Sequence, residues 1–164
     1  MAITFNADEI FEMAVEIERN GAKFYREAAA NTSDEQTKKM LLDLADMEQG
    51  HLSTFEQMRQ NLTDAQKEAT TFDPDNEAAM YLRTMADAHG SEGMKSPTEK
   101  LTGNESIREI IEIALNSEKD SVIFYFGLKG FVSAKAGRDK VEAIIKEELA
   151  HITILNKQLR ALDN

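Results

Sequence analysis

Glu48-Gln-Gly-His51 recurs one hundred residues later as Glu148-Leu-Ala-His151, and thirty positions before each stands a lone glutamate, Glu18 or Glu118. Residues three apart on a helix share a face, so each Glu-x-x-His sets a carboxylate and an imidazole one turn apart on the same side. The third and last histidine, His89, has Ala86 where the motif needs glutamate. With 19 Glu in 164 residues, the chance that four given positions all hold Glu is roughly one in several thousand. The pattern reads as a dinuclear metal site written twice, with Glu18, Glu48, His51, Glu118, Glu148 and His151 as ligands.

The repeat extends beyond these six. The same offset matches Glu9 with Glu109, Ile10 with Ile110, Glu12 with Glu112, Ala14 with Ala114, Phe24 with Phe124 and Tyr25 with Tyr125. Residues 8–62 and 104–162 therefore read as one helical hairpin used twice, giving a pseudo-two-fold bundle in a single domain, 1–164.

Four segments carry helical spacing. Residues 8–30 place Ile10, Met13, Ala14, Ile17, Phe24 and Ala28 on one stripe, with Asn6 as N-cap. Residues 34–61 open with Ser33-Asp-Glu-Gln36, a capping-box pattern, and carry Met40, Leu41, Leu44, Met47, Phe55 and Met58. A third helix follows Thr102-Gly-Asn-Glu105 and runs to Phe131 through Ile107, Ile110, Ile111, Ala114 and Leu115. The fourth, 136–162, has Val141, Ile144, Ile145, Ile152 and Leu155. None alternates as a strand does, so the fold class is all-α. At about 1.5 Å per residue, Glu18 and Glu48 both lie roughly 20 Å from the turn that joins their helices, and so face each other near mid-helix. The second hairpin repeats this arithmetic for Glu118 and Glu148.

Residues 63–103 differ in character. They hold both prolines, Pro74 and Pro97, with Gly90, Gly93 and Gly103, around a short helix expected near 75–88 whose Met80, Tyr81, Leu82 and Met85 would pack it down. Antiparallel neighbours need a loop of only about 2–8 residues. This length predicts a crossover along the bundle, with the second and third helices parallel. His89, at its end, reads as a solvated loop residue.

Composition narrows the chemistry. A hydrophobic share of 41% supports a core, and no apolar run is long enough to span a membrane. The N-terminus, Met1-Ala-Ile-Thr-Phe-Asn-Ala-Asp8, lacks a basic region followed by an apolar stretch, so a cytoplasmic location is expected. Zero Cys excludes disulfides, thiolate zinc sites, iron–sulfur clusters and cysteine nucleophiles. A net charge of −11 opposes nucleic acid and anionic membranes as partners. What remains is a metal that favours oxygen and nitrogen ligands.

Taken together, Glu18 with Phe24-Tyr25, Glu48-Gln-Gly-His51, Glu118 with Phe124-Tyr125 and Glu148-Leu-Ala-His151 resemble the ferritin-like di-iron carboxylate family, specifically a rubrerythrin-type four-helix bundle. The resemblance covers both hairpins. It implies two Fe ions, with Mn or Zn as alternatives, bridged by Glu48 and Glu148 and completed by Glu18 with His51 and Glu118 with His151. Rubrerythrins usually carry a further glutamate three residues after the third-helix ligand; Ser121 stands there in this chain, and Gly21 at the repeat-related place. The rubredoxin-like domain common in the family is missing, as zero Cys requires, so electrons would come from an external donor.

Around the ligands, Tyr25 and Tyr125 each follow a ligand glutamate by two turns, so their phenols can reach a ligand carboxylate. Glu147 can orient a histidine of another helix, but Met47 at the related position cannot, and a solvated Glu147 is the reading adopted. Gly50, mid-helix between Glu48 and His51, suits close helix approach, ligand access or simple tolerance. The functional expectation is a non-haem di-iron oxidoreductase that reduces peroxide or dioxygen, or oxidises Fe(II), as a homodimer. Iron storage in a multimeric shell and non-catalytic metal binding are the alternatives. Six ionisable groups buried without cations are expected to destabilise the bundle strongly.

Overall fold

The computed structural model describes residues 7–64, 67, 80, 101–132, 134 and 137–163. Four long helices organise them: α1 (Ala7–Asn31), α2 (Glu35–Gln60), α3 (Ile107–Phe131) and α4 (Arg138–Ala161). No strand occurs among the described residues, in agreement with an all-α bundle. Asn6, the expected short helix apart from Met80, Tyr81, Leu82, Met85, His89, both prolines, Gly90 and Gly93 lie outside the described residues. Met80 is helical and 59% exposed.

The helix ends follow local chemistry. Asp34, not Ser33, caps α2, accepting from Thr37 N at 2.7 Å. A carboxylate there adds a favourable charge at the positive helix end to the hydrogen bond that a serine hydroxyl also offers. Ser106 and Glu109 form a reciprocal capping box at the start of α3. The turn into α4 is made at Gly137, whose φ of 104° is a left-handed conformation that favours glycine. Arg138 Nε donates to Val132 O at 2.7 Å across this turn.

Pair contacts set the helix directions. Arg59 donates to Asp8 at 2.8 and 3.0 Å, and Gly21 faces Glu48, so α1 and α2 are antiparallel. Tyr25 bonds Glu118 while Tyr125 bonds Glu18, which makes α1 and α3 antiparallel. His51 meets Glu147 and Gln158 meets Thr37, so α2 and α4 are antiparallel as well. Helices α2 and α3 are then parallel, and the end of α2 and the start of α3 stand at opposite ends of a bundle about 40 Å long. A long crossover between them is a topological necessity.

The apolar core is split in two. One cluster gathers Ile10, Phe11, Ile17, Phe55, Phe124, Leu128, Val141 and Ile144; the other gathers Phe24, Ala28, Leu41, Leu44, Ile110, Ile111, Leu115 and Leu155. Met13, Met40, Ile107 and Ile152 pack on these clusters partly buried. Between the two lies a layer of buried polar side chains at mid-height on all four helices.

Candidate metal centre

This layer is made of Glu18 from α1, Glu48 and His51 from α2, Glu118 and Ser121 from α3, and Glu148 and His151 from α4, each 7% exposed or less. All six residues singled out by the sequence repeat meet here. They form two groups, Glu18, Glu48, His51, Glu148 and Glu48, Glu118, Glu148, His151, in each of which the donor atoms lie within 4.8 Å of one another. Glu48 and Glu148 belong to both.

The histidines turn Nδ1 inward. His51 Nδ1 is 3.0 Å from Glu148, 3.4 Å from Glu18 and 3.8 Å from Glu48. His151 Nδ1 is 3.0 Å from Glu148, 3.2 Å from Glu48 and 3.4 Å from Glu118. Yet both Nδ1 atoms, with Glu18 Oε2, Glu48 Oε1 and both oxygens of Glu148, are buried without a hydrogen bond of acceptable geometry. Unsatisfied buried polar atoms are uncommon in folded proteins. These converge on shared points rather than on one another, and their type, carboxylate oxygen and imidazole nitrogen, suits a divalent transition metal. The donor set fits two such ions.

Burial and mutual proximity drive the protonation states apart. The Glu18 and Glu118 carboxyls are pushed well above the usual range by burial, reinforced by the charges of Glu48 and Glu148. Burial also works to raise Glu48, but the adjoining Glu18 carboxyl and the two imidazoles outweigh it and hold Glu48 low. Glu148 is lowered in the same way, against burial and the Glu48 charge, by His151, His51 and Glu118. Burial alone would depress both histidines; the surrounding carboxylates instead raise them, His151 to about 12. Without metal the layer therefore favours protons on the two imidazoles and on Glu18 and Glu118, and negative charge on Glu48 and Glu148. Protons held in this way offset part of the cost of burying six ionisable groups. Two dications balance four carboxylates and two neutral imidazoles, so loading displaces protons from the layer.

Tyr25 and Tyr125 are buried, and each donates across the bundle to the other hairpin's glutamate, Tyr25 to Glu118 Oε1 and Tyr125 to Glu18 Oε1. Helical spacing puts both on the inward face, whereas the exchange of partners follows from how the two hairpins pack. Phe24 and Phe124 pack edge-on against them at 5.3 and 5.6 Å. Glu147 departs from its solvated reading: its side chain is 53% exposed, but Oε2 lies 3.0 Å from His51 Nε2. Close helix approach does not explain Gly50, since a Cβ there would meet nothing within 4 Å. It lines an open cavity of about 500 Å³ with Met47, His51, Lys140 and Glu147.

A family model for rubrerythrin matches residues 9–159. The chain belongs to the rubrerythrin family. Among solved structures it is similar to a candidate ferritin-like diiron-carboxylate protein from Thermotoga maritima, with 24% sequence identity over 98% of each chain and a TM-score of 0.73. That likeness carries the fold. A search of curated proteins found no match. No helix among the described residues is long and apolar enough to cross a membrane.

Proposed function

We propose that this rubrerythrin-family bundle is a non-haem di-iron oxidoreductase, with Glu18, Glu48, His51, Glu118, Glu148 and His151 as its ligands. The observation that carries the reading is the pair of interlocked donor groups sharing Glu48 and Glu148, whose inward atoms lack hydrogen-bond partners. Two iron ions held there would supply two electrons and open coordination positions for peroxide or dioxygen. The protein's own part is to hold the carboxylates and exclude water. Glu48 and Glu148 stand between the two positions, Tyr25 and Tyr125 fix Glu118 and Glu18, and an apolar cluster closes the layer on each side.

Reduction of one peroxide to two waters consumes two electrons and two protons. A chain with no Cys has no iron–sulfur group of its own to deliver the electrons, so a separate donor, in the cytoplasm and acting on a homodimer, completes the proposal. Ferroxidase activity uses the same centre with Fe(II) as donor. The test is metal analysis after anaerobic iron reconstitution, followed by stopped-flow mixing of the reduced protein with peroxide and with dioxygen. Two irons per chain and oxidation by either oxidant are expected; fewer than two irons, or a reduced centre inert to both, would sink the reading.

A further inference from the structure

The two imidazoles are alike toward the centre and unlike away from it. Their rings lie 5.7 Å apart and 18° from parallel, and each turns Nδ1 to three carboxylates. On the far side, His51 Nε2 has Glu147 Oε2 at 3.0 Å, whereas His151 Nε2 is buried with no hydrogen-bond partner. The repeat explains the difference. One hundred residues before Glu147 stands Met47, which offers no acceptor oxygen. Solvent contact differs in the same sense: His151 is fully buried, while His51 borders the cavity of about 500 Å³ whose rim includes the half-exposed Glu147.

A histidine that binds a dication through Nδ1 is neutral and keeps its proton on Nε2. An acceptor for that N–H fixes the tautomer and the ring orientation and makes the bound nitrogen more basic, and losing it commonly weakens metal binding about 10–100-fold. His51 has such an acceptor; His151 must bury its N–H unpaired. Resting on the reading of this layer as a dinuclear metal centre, we propose that Glu147 is a positioning residue that makes the two metal positions unequal. The position bounded by Glu18, Glu48, His51 and Glu148 fills first and binds more tightly. The one bounded by Glu48, Glu118, Glu148 and His151 fills second.

The test uses the full-length metal-free protein with Co(II) as probe, followed by calorimetry and by proton NMR of the cobalt-shifted imidazole N–H signals. The wild type should bind two equivalents, the first at least about 10-fold more tightly, and one shifted N–H should appear at one equivalent and a second at two. Glu147→Ala, at a half-exposed position, should weaken the first equivalent by about 10–100-fold and speed solvent exchange of the N–H that appears with it. Glu147→Gln should restore most of both, because its amide oxygen can accept the same N–H. A merely structural role would weaken both equivalents alike and would leave the exchange of a single N–H unmoved. Two equal wild-type affinities, or a Glu147→Ala protein whose first equivalent is unchanged, would overturn the inequality while leaving the dinuclear reading intact. No cobalt binding at all would remove that reading, and this proposal with it.

Discussion

On the α1–α3 side of the centre, Tyr25 and Tyr125 exchange partners across the bundle, each buried and each bonded to the opposite hairpin's glutamate. On the α2–α4 side, Glu147 reaches His51 but Met47 stands at its counterpart, and an open cavity borders His51 while His151 is fully buried. The same repeat thus keeps its two-fold symmetry around the glutamates of α1 and α3 and loses it around the histidines of α2 and α4. A buried carboxyl needs its partner on both copies, because an unpaired buried polar group is costly. The buried Nε2 of His151 departs from that rule, since Met47 offers it no acceptor.

The most damaging way to probe this symmetry is at the centre, where the two sides join. Glu148 belongs to both donor groups and Glu18 to one. Glu148→Gln should therefore weaken both metals by at least about 100-fold, whereas Glu18→Gln should leave one metal per chain. Metal counts after reconstitution decide it. Equal losses from the two variants would mean that the groups are not interlocked as their geometry indicates.

Protonation offers the next largest effect. In the metal-free fold Glu18, Glu118, His51 and His151 have raised pKa values, so the folded chain holds protons that the unfolded chain, with His at 6.5 and Glu at 4.5, releases at neutral pH. Stability should then rise as pH falls from about 8 toward about 4.5, more gently below about 6.5, where the unfolded histidines take up their own protons and only Glu18 and Glu118 still contribute. Glu48 and Glu148 are lowered and act in the opposite sense, losing their contribution only below about pH 4.5. The metal-loaded protein should show the reverse trend, since acid competes with its ions. Thermal melts of both forms across this range test the sign. Parallel curves would contradict an exchange of protons for metals.

The sealed side makes a quantitative demand. Tyr25→Phe and Tyr125→Phe each remove a buried hydroxyl from a carboxyl and should cost about 1–3 kcal/mol. If the two-fold relation is energetic as well as geometric, the two losses should agree within about 0.5 kcal/mol. Urea unfolding of the metal-free variants measures both. A large mismatch would show that the α1–α3 side has also diverged.

These contrasts also mark what could be read from the residues alone. The six inward-facing residues and both tyrosines are legible because helical period and repeat offset fix which face a residue occupies, and facing the centre is enough to place them. The tyrosines' exchange of partners depends on how the hairpins sit against each other, which no within-helix spacing records. The contact of Glu147 is hidden for the same reason: its partner His51 lies on another helix, and the repeat that makes the six inward-facing residues visible offers Met47 in its place. Ser33 and Asp34 are both good caps, so the choice between them is settled only when Thr37 N meets the carboxylate. Burial of Ser121 in the ligand layer leaves a hydroxyl where the family usually sets a carboxylate.

The smallest expected effect separates the two mid-helix glycines. A Cβ at Gly21 would touch the Glu48 carboxylate at 3.4 Å, on the inner face, whereas one at Gly50 would meet nothing within 4 Å. Glycine inside a helix is less favourable than alanine by up to about 1 kcal/mol, and at Gly50 no contact opposes that gain. Gly50→Ala should therefore stabilise the protein by about 0.5–1 kcal/mol with metal content unchanged. Gly21→Ala starts from the same gain, but its methyl lies against a ligand oxygen and limits how Glu48 can turn, so any stabilisation should come with weaker metal binding. Because Gly50 also lines the cavity beside His51, a bulky Gly50→Leu chain should slow metal uptake there without changing the final stoichiometry. Stopped-flow Co(II) binding by the three variants would sharpen the contrast between an open α2–α4 side and a closed interior. Identical uptake rates for wild type and Gly50→Leu would show that ions reach the centre by another path.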